Sequence, residues 1–410
     1  MSTTSLKIDR STRHALTQLA TYCWFLYAVG PLTLLLRSEL GISRAEAGLH
    51  STAMAIGFIV AGLVTHAVFH RFHVTAVRRL CMFGVAGGFL LFAVGHALSI
   101  TLAAVALGGF SGALLINGLN PSLLAHHREK GAAALSFVNA AAATVGITAP
   151  FILGTIASQS FGWRPVLIAL SVICVLVAFR FSGEVEAKST GESNALDSTT
   201  TEEPSEQRSH IDASSRSKQR FTFAVFALVG GLIIEFTSNL FASDVLRTQA
   251  GLSIGTATQL SACFILGFSV GRWVAAWLAQ RFASGTLMAV AFGLSAAGGL
   301  VISLAHSSMM CAAGLLLIGF GAGPAYPLLI TLALDNSTLS THKASSVIST
   351  ATGLAVAVAP FLLGRLADEL SVGALFGVLS GTATASCLVV TYAFVYASRH
   401  SKSRGLSESF

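Results

Sequence analysis

The chain has 410 residues, of which 53% are hydrophobic and only 10% charged, with a mean hydropathy of +0.73. Soluble domains carry roughly 25% charged residues, so this composition excludes an ordinary soluble globule and points to an all-α integral membrane protein. The formal net charge of +7 then reads as the loop-charge bias of a membrane chain, and no nucleic-acid partner is expected.

At about 20 apolar residues per span, the low-charge stretches divide into twelve predicted transmembrane helices: 14–36, 46–69, 79–97, 99–125, 131–159, 163–182, 220–242, 253–279, 284–305, 308–334, 343–369 and 372–397. The polar residues 1–13 lead into the first span with no small-residue cleavage pattern before Arg37, so that helix is expected to stay in the mature protein. Residues 1–182 form a predicted six-helix bundle and residues 220–398 a second one. Between them, 183–219 is rich in Ser, Thr, Glu and Lys and includes Glu202, Glu203, Glu206 and Asp212. Such a segment buries too little apolar surface to order itself, and it is expected to be a disordered cytoplasmic linker. Residues 399–410 form a polar tail.

Orientation follows from Lys and Arg placement. With the N-terminus inside, 19 of these residues fall in cytoplasmic segments and 5 outside (Arg37, Arg44, Arg164, Arg247 and Arg365), with Arg272 inside helix eight. Both termini and the linker are therefore expected in the cytoplasm, and the chain in the plasma membrane (the inner membrane of a bacterium). The six cysteines lie in apolar spans without CxxC spacing, as small packing residues would.

The chain repeats itself. GFIVAGLVTHAVFHRF at 57–72 and GFSVGRWVAAWLAQRF at 267–282 align without gaps at an offset of 267 − 57 = 210. APFILGTIA at 149–157 and APFLLGRLA at 359–367 have the same offset, 359 − 149 = 210. Two gapless matches at one offset indicate a duplicated half of six helices related by a pseudo-two-fold axis.

The repeated stretch resembles the loop signature of the major facilitator superfamily, in which a helix runs through Gly-Arg into an Arg-rich Asp-Arg-Phe-Gly turn. Gly271, Arg272, Leu278, Arg281 and Phe282 carry the match in the second half, and Arg71, Phe72, Arg78 and Arg79 in the first. FGWRPV at 161–166, GFGAGPAYP at 319–327 and the APF(I/L)LG elements extend it over nearly the whole chain. The resemblance implies two six-helix bundles, a substrate site at mid-membrane between them, and rocking that opens this site to each side in turn. The chain departs from the signature at the acidic position, which is His70 in one half and Gln280 in the other, and at its glycine, which is His66 and Ala276. Arg71, Arg78, Arg79 and Arg281 remain placed to gate the inward-closed state through helix C-termini or lipid phosphate, or to act as topology-setting charges only. The same position makes Arg272 a structural tie of the gate or a substrate ligand. GGLIIEFTSNL at 230–240 is also similar to the fucose-type proton symporter branch, although helix one, from Ala15 to Leu36, lacks the acid which that branch carries there.

Glu235 is the only carboxylate deep inside a predicted span; Asp335, Asp368 and Glu369 lie near span ends and Asp244 in a loop. An ionised carboxylate at mid-membrane is costly, so such a group faces a cavity, is paired, or is protonated. Its neighbours Gly231, Ser238, Asn239 and Ala242 form a small, polar helix face expected to line the cavity. Glu235 is thus a candidate for proton coupling and substrate binding, or a structural acid tied to another helix. Asn117 and Asn120 share one side of helix four, and Asn139 shares a face with Ser136 and Ala143. Each amide needs a partner, as a substrate contact or as interhelical glue. Among Tyr22, Trp24, Tyr27 and Tyr326, the better candidates for an aromatic cavity wall are Tyr27 and Tyr326, each within four residues of a proline. Kinks are expected at Pro121, Pro324 and Pro327.

None of the twelve histidines shows metal-ligand spacing, and no metal or cofactor is expected. The chain has no GxxxxGK[ST], GxSxG or HExxH, which argues against ATP hydrolysis and membrane enzymes. The expected activity is secondary active transport of a small solute by alternating access, coupled to protons through Glu235, by a monomer in the bilayer. The solute is a neutral polar molecule such as a sugar, or an amphipathic compound. Multidrug-type efflux by proton antiport is the alternative, and a non-transporting receptor or scaffold on the same fold is the reading from a different class.

Overall fold

The structure, a computed structural model, describes residues 8–127, 130–159, 162–180, 207–339 and 341–396. Its first half holds α1 (Arg10–Leu40), α2 (Arg44–Arg71), α3 (Val74–Val94), α4 (Leu98–His127), α5 (Gly131–Gly146), α6 (Thr148–Ala157) and α7 (Arg164–Arg180). The second holds α8 (Gln207–Thr248), α9 (Ile254–Leu260), α10 (Ala262–Leu278), α11 (Ser284–Ser303), α12 (Ser308–Ala322), α13 (Ala325–Asp335), α14 (Thr341–Glu369) and α15 (Val372–Val390), which ends in a π-helical turn at Thr391–Tyr396. No strand occurs among the described residues. The pairs α5–α6, α9–α10 and α12–α13 are single interrupted spans, so among the described residues fifteen helices make twelve spans in two six-helix bundles. Eleven are long and apolar enough to cross a membrane. The twelfth, α7, has 17 residues, about 25 Å of helix.

Helix boundaries repeat at the offset seen in the sequence. Arg44 begins α2 and Ile254 begins α9 (44 + 210 = 254); Val74 and Ser284 begin α3 and α11; Leu98 and Ser308 begin α4 and α12; Gly131 and Thr341 begin α5 and α14. The caps repeat too. Ser43 and Ser253 each accept a hydrogen bond from the backbone amide three residues on, Glu46 and Thr256, satisfying donors that a helix start leaves orphaned.

Within the first half, the aromatic side chains of α1 fit against the glycines of α4. A Cβ on Gly112 would stand 1.7 Å from the Tyr22 ring and one on Gly108 would stand 2.2 Å from Phe25, so these residues are small because a ring occupies the space. Trp24 donates to Thr148 Oγ1 at 3.1 Å. Tyr22 and Trp24 are thus consumed by packing inside one bundle. Arg164 holds the end of α3, donating to the carbonyls of Ala93 (2.5 Å) and Gly95 (2.8 Å) and to Glu39 (2.7 Å), where a helix C-terminus favours a cation.

Two expectations change. Residues 207–219, read as linker, form the first turns of α8; their polar composition reflects helix that extends past the apolar span, which composition alone does not distinguish from loop. Residues 183–206 and the tail 399–410 lie outside the described residues. Asp244, read as a loop residue, is inside α8 and buried. Of the expected kinks, Pro324 sits at the break between α12 and α13 with Pro327 one turn on, whereas α4 runs unbroken through Pro121.

The two halves meet along α1 with α8, α2 with α14, and α5–α6 with α9–α10. For orientation, the end of the bundle at Arg10 is called the terminal face and the end at Leu40 the opposite face. Backbones cross closely towards the opposite face. A Cβ on Gly30 would lie 2.0 Å from the Asn239 carbonyl oxygen, and one on Gly154 would lie 2.5 Å from the Gly255 oxygen. Beside that second crossing, Gln259 donates to Thr155 Oγ1 at 2.9 Å. At the terminal face, α4 and α13 make no substantial packing contact among the described residues.

Candidate functional site

Just on the terminal side of these crossings, α1, α2, α8 and α10 line a small cavity of about 20 Å³, room for about one water and well below the roughly 300 Å³ or more of small-molecule sites. Its polar lining is Tyr27, Ser51, Glu235 and Asn239; its apolar lining is Leu26, Val29, Met54, Phe236, Leu240 and Phe264. Both halves contribute, as a site between two bundles requires. Glu235 makes no hydrogen bond and no ion pair among the described residues, and Tyr27, Tyr326 and Arg272 are its electrostatic neighbours.

The cavity brings together three of the residues singled out in the sequence: Tyr27, Glu235 and Asn239. Tyr27 is buried, with its ring 6.3 Å from Phe268 across the halves and packed on Gly146 at the α5–α6 break. The other four do not line it. Asn117 is exposed and donates to Thr65 Oγ1 at 2.9 Å. Asn139 donates to Leu135 O in its own helix at 2.9 Å. Asn120 keeps a buried Oδ1 with no hydrogen-bond partner, and Tyr326 is 44% exposed. The face of α8 turned to the cavity also differs from the expected one. Glu235, Phe236, Asn239 and Leu240 line it, while Gly231, Ser238 and Ala242 are buried. The small residues lie where α8 packs closely, with Gly231 against Ala325, because close helix packing in lipid selects small side chains.

Arg272 has a structural partner. Its Nε donates to the Gly323 carbonyl at 2.9 Å, and its guanidinium stacks 4.2 Å over Phe268. The residue four beyond Gly323 is Pro327, which has no N–H to give. Arg272 therefore satisfies the carbonyl that the α12–α13 break leaves without a partner. Two of the remaining expected gate arginines find partners within their own half. Arg78 donates to Gln18 Oε1 from Nε (3.0 Å) and Nη2 (2.5 Å), and Arg281 stacks 4.8 Å over Trp277. Arg71 is exposed at the end of α2, and Arg79 is half-buried near the start of α3.

Among the described residues, ionic contacts between the halves lie at the opposite face. Asp244 of α8, with a side chain 4% exposed, accepts from Arg37 Nη1 at 2.5 Å and from Arg44 Nε at 2.6 Å. Asp368, near the end of α14, accepts from the backbone amides of Arg44 (3.0 Å) and Ala45 (2.9 Å) and lies 3.5 Å from Arg44 Nη1. The second half thus caps the first turn of α2, and two arginines of the first half clasp a buried aspartate of the second. Thr52 of α2 adds a bond to the Ala357 carbonyl of α14. Sequence reasoning passed over this cluster as span-end charges. The available signal was that Arg37 and Arg44 belong to one half, Asp244 and Asp368 to the other, and all four lie at the same predicted membrane edge.

The family model described as Major Facilitator Superfamily matches residues 16–342 and 236–409. No curated protein is detectably similar in sequence. Among solved structures, the chain is similar to the nucleoside transporter NupG, with a TM-score of 0.70 at 11% identity over 94% of this chain and 98% of that one. It is also similar to a bacterial homologue of the human drug peptide transporters (TM-score 0.69, 13% identity, 95% and 98% covered). A bacterial homologue of the human lysosomal transporter Spinster, inward-facing and occupied, gives a TM-score of 0.64 at 14% identity, with 95% and 96% covered. At these identities the likeness is one of fold.

Proposed function

The chain belongs to the major facilitator superfamily, and on that premise we propose that it is a proton-coupled secondary transporter carrying a small solute through the cavity between its halves. The observation that carries this reading is Glu235, a mid-span carboxyl that faces the shared cavity with no hydrogen bond or ion pair among the described residues. A carboxyl in such a place exchanges a proton at less cost than it holds a bare charge, and its state differs between the two openings of an alternating-access cycle.

The positive-inside bias places the terminal face in the cytoplasm. The closed opposite face and the unpacked α4 and α13 then correspond to a state open to the cytoplasm. In the converse state, Arg71, Arg78, Arg79, Arg272 and Arg281 would lie on the side that closes. Apolar side chains outnumber polar ones around the cavity; once the halves part to admit a solute, that lining favours an amphipathic solute with a few hydrogen-bonding groups over a sugar. That balance also suits multidrug-type antiport, the second reading. Asn117, Asn120, Asn139 and Tyr326 would reach the solute only after the halves rearrange.

The test is uptake and efflux in proteoliposomes across a panel of nucleosides, sugars, short peptides and amphipathic cations, with and without a pH gradient. Saturable flux stimulated by the gradient supports the proposal. Absence of flux for every class would favour the receptor or scaffold reading.

A further inference from the structure

The N-cap of α1 and the last turn of α4 gather three side chains of metal-ligand type. Asp9 caps α1 by accepting from the Thr12 amide at 2.9 Å, and its other oxygen contacts His126 Nε2. His127 Nε2 lies 2.7 Å from Thr12 Oγ1, and that hydroxyl donates to Asp9 Oδ1 at 2.7 Å. One donor atom from each of Asp9, His126 and His127 lies within 4.8 Å of the other two. Spacing along the chain hides this group, since Asp9 and His126 are 117 residues apart.

We propose that Asp9, His126 and His127 form a binding site for a transition-metal dication of the zinc class, on the terminal face and apart from the solute cavity. Two imidazole nitrogens and one carboxylate oxygen match the three-ligand zinc sites that keep a water in the fourth position. The nitrogens select against magnesium and calcium, which prefer oxygen. The side chains of His126 and Asp9 are 36% and 41% exposed, so an ion reaches them from water and retains a water ligand. Tetrahedral zinc holds its donors roughly 3.3 Å apart, a spacing that rotations of these partly exposed side chains produce. The neighbouring Arg10, Arg13 and Lys130 repel a cation at long range. Affinity therefore comes from coordinate bonds to neutral imidazoles, with Thr12 Oγ1 holding Asp9 in place as an outer-sphere partner. An ion here would cross-link the start of α1 to the end of α4.

The test uses the purified full-length chain, freed of any affinity tag, titrated with zinc chloride against a chromophoric chelator. The expected result is one equivalent of zinc per chain, with affinity reduced at least about tenfold in His126→Gln and in His127→Gln and unchanged in a His66→Gln, His70→Gln control. Asp9→Asn keeps a good N-cap, so loss of zinc binding in that variant with unchanged helix content separates ligation from folding. Failure of the wild-type chain to bind an equivalent, or equal binding in the histidine variants, would overturn the site and leave the transport reading untouched.

Discussion

Replacing Asp244 by Asn should release the opposite face of the bundle. The carboxylate is almost fully buried and accepts two charged hydrogen bonds, from Arg37 and Arg44, across the boundary between the halves. Hydrogen bonds to charged groups contribute about 1.5–3 kcal/mol each, and removing one partner of a buried pair costs about 3–5 kcal/mol. The arginine side chains remain 18% and 19% exposed, and Asn still accepts one bond, so the lower figure applies. Once the face opens, both arginines and the aspartate are hydrated, and nearly all of this energy distinguishes the two states. A change of roughly 3 kcal/mol shifts their ratio by about 100-fold. Nitroxide labels at Ser38 and Leu370, exposed positions on different halves near this face, report the distance by double electron–electron resonance. A chain mostly closed there should move largely to longer distances in Asp244→Asn. An unchanged distribution would refute the assignment of these ion pairs as the lock.

Other consequences follow from single contacts. Gly30→Ala places a methyl 2.0 Å from the Asn239 oxygen; the same labels should show partial opening, and solute flux should fall sharply. Arg164→Gln removes the charged bonds to Ala93, Gly95 and Glu39, a loss of about 2 kcal/mol, and should lower the melting temperature in detergent by several degrees. Burial alone would raise the Asp9 carboxyl, but the bonds from the Thr12 amide and hydroxyl and from His126 outweigh it and hold it below the ordinary carboxylate range. A lowered carboxyl stabilises fully above the unfolded value near about 3.9 and loses that contribution as pH falls below it. The melting-temperature difference between wild type and Asp9→Ala should therefore shrink as pH falls below about 4.

The architecture was legible in the sequence because duplication preserves length. Four helix starts in the first half map onto the second at the offset of 210 that the repeated stretches had shown. Glu235 was legible because a carboxylate inside a span stands out by composition. Its surroundings were not, since helical periodicity tells which residues share a face but not whether a helix or a cavity covers it. The small face of α8 suggested a lining and proved to be the packed side. The tie from Arg272 to Gly323 depends on a proline 55 residues away in sequence, and the clasp around Asp244 on residues about 200 apart. Both arise from tertiary proximity that no local pattern encodes.

The central claim is that Glu235 couples solute movement to protons. Proteoliposomes containing wild-type or Glu235→Gln protein should be compared for accumulation driven by a pH gradient and for solute exchange without one, using whichever class in the panel shows saturable flux. The variant should lose accumulation and retain exchange. Undiminished accumulation by Glu235→Gln would contradict the account.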